Sequence, residues 1–213
     1  AEYGILITGL IILLAVACII ALCAGQYSVS VPEVTKILAS RFVNVTKTWS
    51  NTAEGVVFTL RLPRIIGAVL VGSALSLSGA AYQGVFKNPL VAPDLLGVSS
   101  GACVGASVAI LLHLNSFGVQ AMAFVAGILA VGLTLFIPRL IKNTNMTMLV
   151  LSGIIVKGIM DSVMGIIKYV ADPETELQSI TYWQLGSLTK VLPKDLFTVG
   201  PVIVAASVII FLL

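Results

Sequence analysis

Apolar residues gather in six long runs, separated by shorter polar stretches: Gly4–Ala24, Ile65–Phe86, Val98–Leu114, Val119–Ile137, Met146–Val170 and Leu196–Leu213. A membrane-spanning helix needs about 20 mostly apolar residues at a rise of about 1.5 Å each. The pattern therefore predicts an all-α, polytopic helical bundle with six spans. The third is short at 17 residues and carries His113 near its end, and the fifth is long at 25 and contains Lys157, Asp161 and Lys168.

Two connections are too long for tight turns. Residues 25–60 form a segment outside the spans, in which Ser30-Val31-Pro32-Glu33 fits a capping box with proline in the first turn. Val34, Ile37, Leu38 and Phe42 then recur at helical spacing, so a short amphipathic helix lying on the membrane surface is expected, followed by a polar loop through Asn51. The second connection, Ala171–Asp195, opens with Asp172-Pro173-Glu174 and carries Tyr182 and Trp183, aromatic residues that suit the headgroup region. The chain shows no internal repeat.

Composition agrees with the pattern. The 213 residues are 58% hydrophobic and only 10% charged, with a mean hydropathy of +1.09. A soluble domain carries about 25% charged residues; 12 Lys+Arg and 9 Asp+Glu cannot solvate a surface around so apolar a chain. A cytosolic enzyme, a disulfide-rich secreted domain and a disordered chain are excluded, and a net charge of +3 is too small and scattered for nucleic-acid binding. Cys18, Cys23 and Cys103 lie inside apolar runs, where a thiol behaves as a small hydrophobe. The first run is too long for a signal-peptide core and is read as a retained span. The chain opens without Met and closes at Leu213 within an uncharged apolar stretch, so both ends are expected to lie inside a longer protein.

Charge does not orient the bundle simply. With the N-terminus cytoplasmic, the inner loops hold Lys87, Arg139 and Lys142, and the outer ones hold Lys36, Arg41, Lys47, Arg61, Arg64, Lys190 and Lys194. Three against seven reverses the positive-inside rule.

Four features carry chemistry. In Arg61-Leu62-Pro63-Arg64, before the second span, Pro63 is expected to push Leu62 toward an extended conformation and to sit in the first helical turn, presenting two guanidiniums at one membrane face. They are either interfacial anchors or a docking site for carboxylates. The segment Asn88-Pro89-Leu90-Val91-Ala92-Pro93-Asp94-Leu95-Leu96-Gly97 is broken by two prolines, yet too apolar for a solvated hairpin, so it is expected to pack into the embedded body. Gly97, Gly101 and Gly105 form a small-residue stripe for close helix packing. Lys157 and Asp161, at i and i+4, meet on one helix face, with Lys168 near it. Charges within a span face a bundle interior or a wet cavity, so a structural ion pair and a pathway lining are both open. Catalytic sets are absent: His113 is the only histidine, no phosphate-binding loop occurs, and no metal or cofactor site is expected.

The motifs Arg61-Leu62-Pro63-Arg64, Gly72…Ser78-Gly79-Ala80…Gln83 and Asn88–Ala102, with Leu151-Ser152-Gly153 and Tyr182–Leu188 after them, resemble the FecCD-type permeases. These are the membrane subunits of type II ABC importers for ferric siderophores, haem and cobalamin. The match runs in register over about residues 60–188. The resemblance implies a multi-pass permease of a bacterial cytoplasmic (inner) membrane with its N-terminus in the cytoplasm. It implies a homodimer embedded in the lipid bilayer and served by separate ATPase subunits and an extracytoplasmic substrate-binding protein, with ferric siderophore as the first choice of cargo. Arg61 and Arg64 match arginines that receive acidic residues of the binding protein. Asn88 and Leu90 match one element of the cytoplasmic gate, and the loop with Thr144, Asn145 and Met146 corresponds to the other. Lys157, Asp161 and Lys168 are then candidates for the pathway lining. Family members have about ten spans of about 20 residues each, so the chain is expected to be the N-terminal part of a permease, a single transmembrane domain over residues 1–213. Stripes such as Gly97–Gly105 are expected to lack neighbours, and stability to depend on a partner. The alternative is an ion-coupled secondary transporter that would use Asp161. The chain itself is not expected to be an enzyme.

Overall fold

In the computed structural model, residues 2–89, 91–143 and 145–212 are described; Leu90 and Thr144, both assigned to the gate from sequence, lie outside them. The described residues contain nine α-helices and no strand. Five helices are long and apolar enough to cross a membrane. Contacts group the chain into two compact units, Ala1–Ala74 with Leu188–Leu213, and Leu75–Ser187.

The first unit begins with α1 (Glu2–Cys23), in which only Leu22 is buried. A helix apolar on every face satisfies its backbone internally and can face lipid all round. The amphipathic α2 (Val31–Ala39) follows, as the spacing predicts, with Ser30 at the N-cap. The capping box itself does not form: the Ser30 side chain makes no cap bond, and its backbone carbonyl accepts from Glu33 N at 3.0 Å and Val34 N at 2.9 Å. The supposed polar loop through Asn51 contains buried Trp49, which joins Leu22, Val29, Val34, Ile37, Ala53 and Val57 in a small core. Its indole donates to Glu54 Oε2 at 3.3 Å, the carboxylate that also pairs with Lys47 at 2.7 Å.

Helix α3 (Asn51–Gly55) runs through a π-helical stretch, Val56–Arg61, into α4 (Leu62–Phe86) without a break. Leu62 is therefore helical, with φ −58° and ψ −47°, and not extended as the following proline suggests. Its N–H reaches back five residues to Val57 O. A proline inside a helix lacks an N–H and crowds the carbonyl four residues earlier; the wider π turn directly before Pro63 accommodates both effects. Helix α9 (Pro193–Leu212) completes this unit, with a Leu188–Lys190 3₁₀ turn before it.

The second unit holds the end of α4, a 3₁₀ turn Pro93–Leu96, α5 (Val98–Leu111), α6 (Ser116–Leu140), α7 (Met146–Val170) and α8 (Glu176–Leu185). Helix α7 has the bounds of the predicted fifth span. The third predicted span is helical over only 14 residues, about 21 Å, because His113 adopts a left-handed φ of 51° and turns the chain. Asn115 and Asn145 cap α6 and α7, accepting from Gly118 N at 2.9 Å and Met148 N at 2.8 Å.

Gly101 and Gly105 lie against α6. A Cβ at Gly101 would stand 2.5 Å from Ala130 Cβ, and one at Gly105 2.5 Å from Ala126 Cβ and onto Met122 O. The two helices touch backbone to side chain, which small residues permit. The expectation that this face lacks neighbours is thus corrected: α6 covers it from within the chain. Gly97 has a different role from the other two. It sits at the N-cap of α5 with φ +72°, a left-handed conformation that suits glycine, and faces Val156 and the backbone of Gly153 and Lys157.

Candidate transport site

The two arginines of the Arg61–Arg64 motif have different surroundings. Arg61 is buried at 9% exposure. Its Nη1 donates to Leu22 O at 2.6 Å and Cys23 O at 3.2 Å, and its Nη2 donates to Tyr27 O. Two of these carbonyls belong to the last turn of α1, which has no further helical N–H to bond, and a cation there also opposes the negative end of the helix dipole. Gly25 leaves room for the group, since a Cβ would stand 2.6 Å from Arg61 Nη2. The sequence reading that both guanidiniums are presented at the membrane face is corrected for Arg61: its donors bind the chain's own backbone. Arg64 is half-buried, and its Nε is enclosed without a hydrogen-bond partner among the described residues. Other cations from the supposed outer set are engaged internally too, with Arg41 lying 4.6 Å from the Phe58 ring centroid and Lys47 on Glu54.

The segment after α4 packs inward, as its apolar content predicts. Val91 and Leu96 are buried with Phe86 against Leu149, Val150 and Val131. Asn88 is held at the bend, its N–H donating to Gln83 O at 3.2 Å and its carbonyl accepting from Val91 N at 3.3 Å. The Gln83 amide donates to Pro89 O at 3.2 Å. On the other expected gate element, Asn145 is the cap of α7 and Met146 is its exposed first residue.

The Pro93–Leu96 turn is fixed to α6 and α7 at three points. Thr134, fully buried, donates from Oγ1 to Leu96 O at 3.0 Å. Gly153 presents its bare Cα to Leu95, whose carbonyl occupies the place a Cβ would take. Lys157 Nζ donates to Asp94 Oδ2 at 2.7 Å, with the two side chains 45% and 46% exposed. Burial disfavours the Asp94 carboxylate, but hydrogen bonds from Lys157 and Ser99, together with the Lys157 charge, outweigh it, so its pKa lies below the ordinary aspartate value. Replacing Thr134 by valine keeps the volume but removes the donor to Leu96 O. It should cost about 1–3 kcal/mol, read as a lower thermal midpoint of the purified protein with its helix content retained.

Of the two readings open for Lys157 and Asp161, the structural ion pair between them is not the one formed: the partner of Lys157 in this structure is Asp94, 63 residues earlier in the chain. Asp161 is exposed, and Lys168 reaches away to donate to Gln184 Oε1 on α8. His113 Nε2, just past the end of α5, lies 3.4 Å from Glu176 Oε1 at the start of α8. Two hollows of about 430 and 480 Å³, one bounded by α1 and α4 and one by α5 and α6, have no charged lining residue and offer no site for a polar chelate. No group of three or more His, Cys, Asp or Glu side chains that could hold a metal occurs among the described residues.

Residues 13–213 match the model of the FecCD transport family. The chain belongs to this family. Among curated FecCD-like relatives it is 33% identical over 212 residues to the molybdate import system permease protein MolB of Haemophilus influenzae, covering 99% of this chain and 62% of that protein. It is 36% identical over 161 residues to the cobalamin import system permease protein BtuC of Halobacterium salinarum, covering 75% and 43%. To the hemin transport system permease protein HmuU of Yersinia pestis it is 38% identical over 137 residues, covering 61% and 40%. A solved inward-facing conformation of a metal-chelate-type ABC transporter superposes with a TM-score of 0.81 at 29% identity, over 97% of this chain and 61% of that one. The FecCD chain thus spans less than two thirds of the length of these relatives. The all-α permease fold expected from sequence is the fold observed.

Asp94 is the site residue that sequence reasoning passed over. It stood inside the quoted Asn88–Gly97 motif, but nothing local pointed to a lysine on a later helix.

Proposed function

We propose that the chain forms the N-terminal part of the transmembrane permease of an ATP-binding-cassette importer, in a bacterial cytoplasmic membrane. Two permease copies enclose the path, separate ATPase subunits supply the driving energy, and a substrate-binding protein delivers the cargo from the far side. The observation that carries this reading is the superposition of 97% of the chain on a metal-chelate-type ABC transporter at 29% identity. The named relatives import molybdate, cobalamin and hemin; of the iron, haem and cobalamin cargoes, ferric siderophore is our choice.

In the cycle, a loaded binding protein docks with an acidic residue on Arg64, while Arg61 holds the end of α1 and the backbone around Gly25 in place beside it. ATP binding then favours one permease conformation over another through its different affinity for each. Asn88 and Leu90, with Thr144, Asn145 and Met146, serve as the cytoplasmic gate, and Lys157 with Asp161 lines the path. A charge midway along a span needs water or a partner, and Lys157 has both a partner and an exposed flank.

The test is uptake by proteoliposomes that contain the permease assembled with its ATPase and binding protein. ATP-dependent accumulation of a ferric siderophore, exceeding that of haem, cobalamin and molybdate, supports the proposal. Uptake driven by an ion gradient without ATP would overturn the importer reading, and preference for another cargo would overturn the choice of siderophore.

A further inference from the structure

Lys157 stands between two carboxylates on different elements. Asp94, on the Pro93–Leu96 turn, accepts a hydrogen bond from its Nζ at 2.7 Å. Asp161 lies one turn further along α7, at the i+4 spacing that brings side chains onto one face, close enough to act on Lys157 electrostatically. The Asp161 side chain makes no hydrogen bond or ion pair with any described residue, and it is exposed on a helix long and apolar enough to cross a membrane. Lys157 itself lies midway along α7, where an ammonium without a counter-ion or water is costly.

We propose that Asp161 is a second seat for the Lys157 ammonium: when the Pro93–Leu96 turn separates from α7 during transport, Lys157 leaves Asp94 and pairs with Asp161. The proposal rests on the importer reading and assigns Asp161 a positioning role within it. The geometry favours exchange over a fixed bridge for two reasons. Both members of the Lys157–Asp94 pair are nearly half exposed, so the ammonium can swing without crossing packed side chains. The second seat is on the same helix as the lysine, so it remains within reach wherever the turn goes. A fixed bridge needs only one carboxylate, and a second, unpaired one near the middle of a span would then be an uncompensated cost. Lys168 cannot replace Lys157 as the counter-ion here, because it is drawn to Gln184.

The test follows one distance in two single variants of the assembled transporter in nanodiscs. Spin labels at exposed Ala92 and Ile154 report the separation of the turn from α7, with and without ATP and vanadate. The expected result is a second, longer-distance population on nucleotide trapping. Asp161→Asn should reduce that population about tenfold, equivalent to about 1.4 kcal/mol, while Asp94→Asn should enlarge it even without nucleotide. ATP-driven uptake should fall with Asp161→Asn while binding-protein affinity is unchanged. If Asp161→Asn leaves both the distance populations and uptake as in wild type, the exchange is wrong although the importer reading stands. If the longer population never forms while wild-type uptake proceeds, the exchange is likewise overturned. If wild type shows no ATP-driven uptake, the importer reading itself fails.

Discussion

Arg61→Glu should abolish recovery of the folded permease, whereas Arg64→Glu should leave it folded and assembled with its ATPase but unable to retain the binding protein. The two residues are three apart and of the same type, and on sequence alone they share one role. Their surroundings separate them. Arg61 donates to three backbone carbonyls at and beyond the end of α1, with charge-assisted bonds worth about 1.5–3 kcal/mol each. A glutamate there would lose all three and place an anion against carbonyl oxygens at the negative end of a helix dipole. Even Arg61→Ala should cost about 3 kcal/mol or more, since Leu22 O, Cys23 O and Tyr27 O lose a common donor. Arg61→Lys should recover part of this, because an ammonium can reach fewer of the three carbonyls than the planar guanidinium fork. Arg64 has no such commitments, and its charge reversal should leave the thermal midpoint near that of wild type. The measurement is size-exclusion recovery and thermal midpoint for each variant, followed by co-purification with the ATPase and the binding protein. Loss of the binding protein from a well-folded Arg61→Glu complex would return Arg61 to the docking surface. Retention of the binding protein by Arg64→Glu would make that residue an interfacial anchor only.

What was legible in the sequence and what was not divides along the range of the interaction. The spans were legible because each is a local property: a long, mostly apolar run with an asparagine before it gives α7 its observed bounds, Met146–Val170. The inward packing of the segment around Val91 and Leu96 was legible for the same reason, since its apolar content admits no solvated hairpin. Pro63 misled because the local rule for proline describes an isolated helix start, and here the chain continues a helix through it by widening the preceding turn. The short α5 was hidden because Leu112 and Leu114 keep the apolar run going past the left-handed turn at His113. The partner of Lys157 was beyond local reading altogether. The spacing to Asp161 was visible within one helix, but the choice of Asp94 depends on where the turn after α4 lands on α7. Conversely, the glycine stripe correctly announced a close helix contact without saying that α6, the next helix in the chain, would be the one to fill it.

Gly153→Ala is the smallest substitution with a large expected effect, and it follows from where that turn lands. The added Cβ would fall on the carbonyl oxygen of Leu95 and stand 3.0 Å from its carbon. Those are backbone atoms, so no rotamer change can relieve the overlap, and the turn as a whole must move off α7. Overpacking of this kind costs about 1–3 kcal/mol in a well-packed site. Here the displacement also strains the Thr134 bond to Leu96 O and the Lys157 bond to Asp94, so a value at or above the top of that range is expected. The effect should be specific to this contact. Gly158→Ala, on the same helix with open space around its Cα, should be neutral or slightly stabilising, because alanine has the higher helix propensity. The measurement compares the two variants by thermal midpoint and by ATP-driven uptake in the assembled transporter. A large loss in both for Gly153→Ala, with Gly158→Ala unchanged, would show that seating the Pro93–Leu96 turn on α7 is a condition for function. Equal behaviour of the two would mean that the turn can leave α7 at little cost. In that case the three-point attachment through Thr134, Gly153 and Lys157 would no longer hold the segment that follows Asn88 in register with α7.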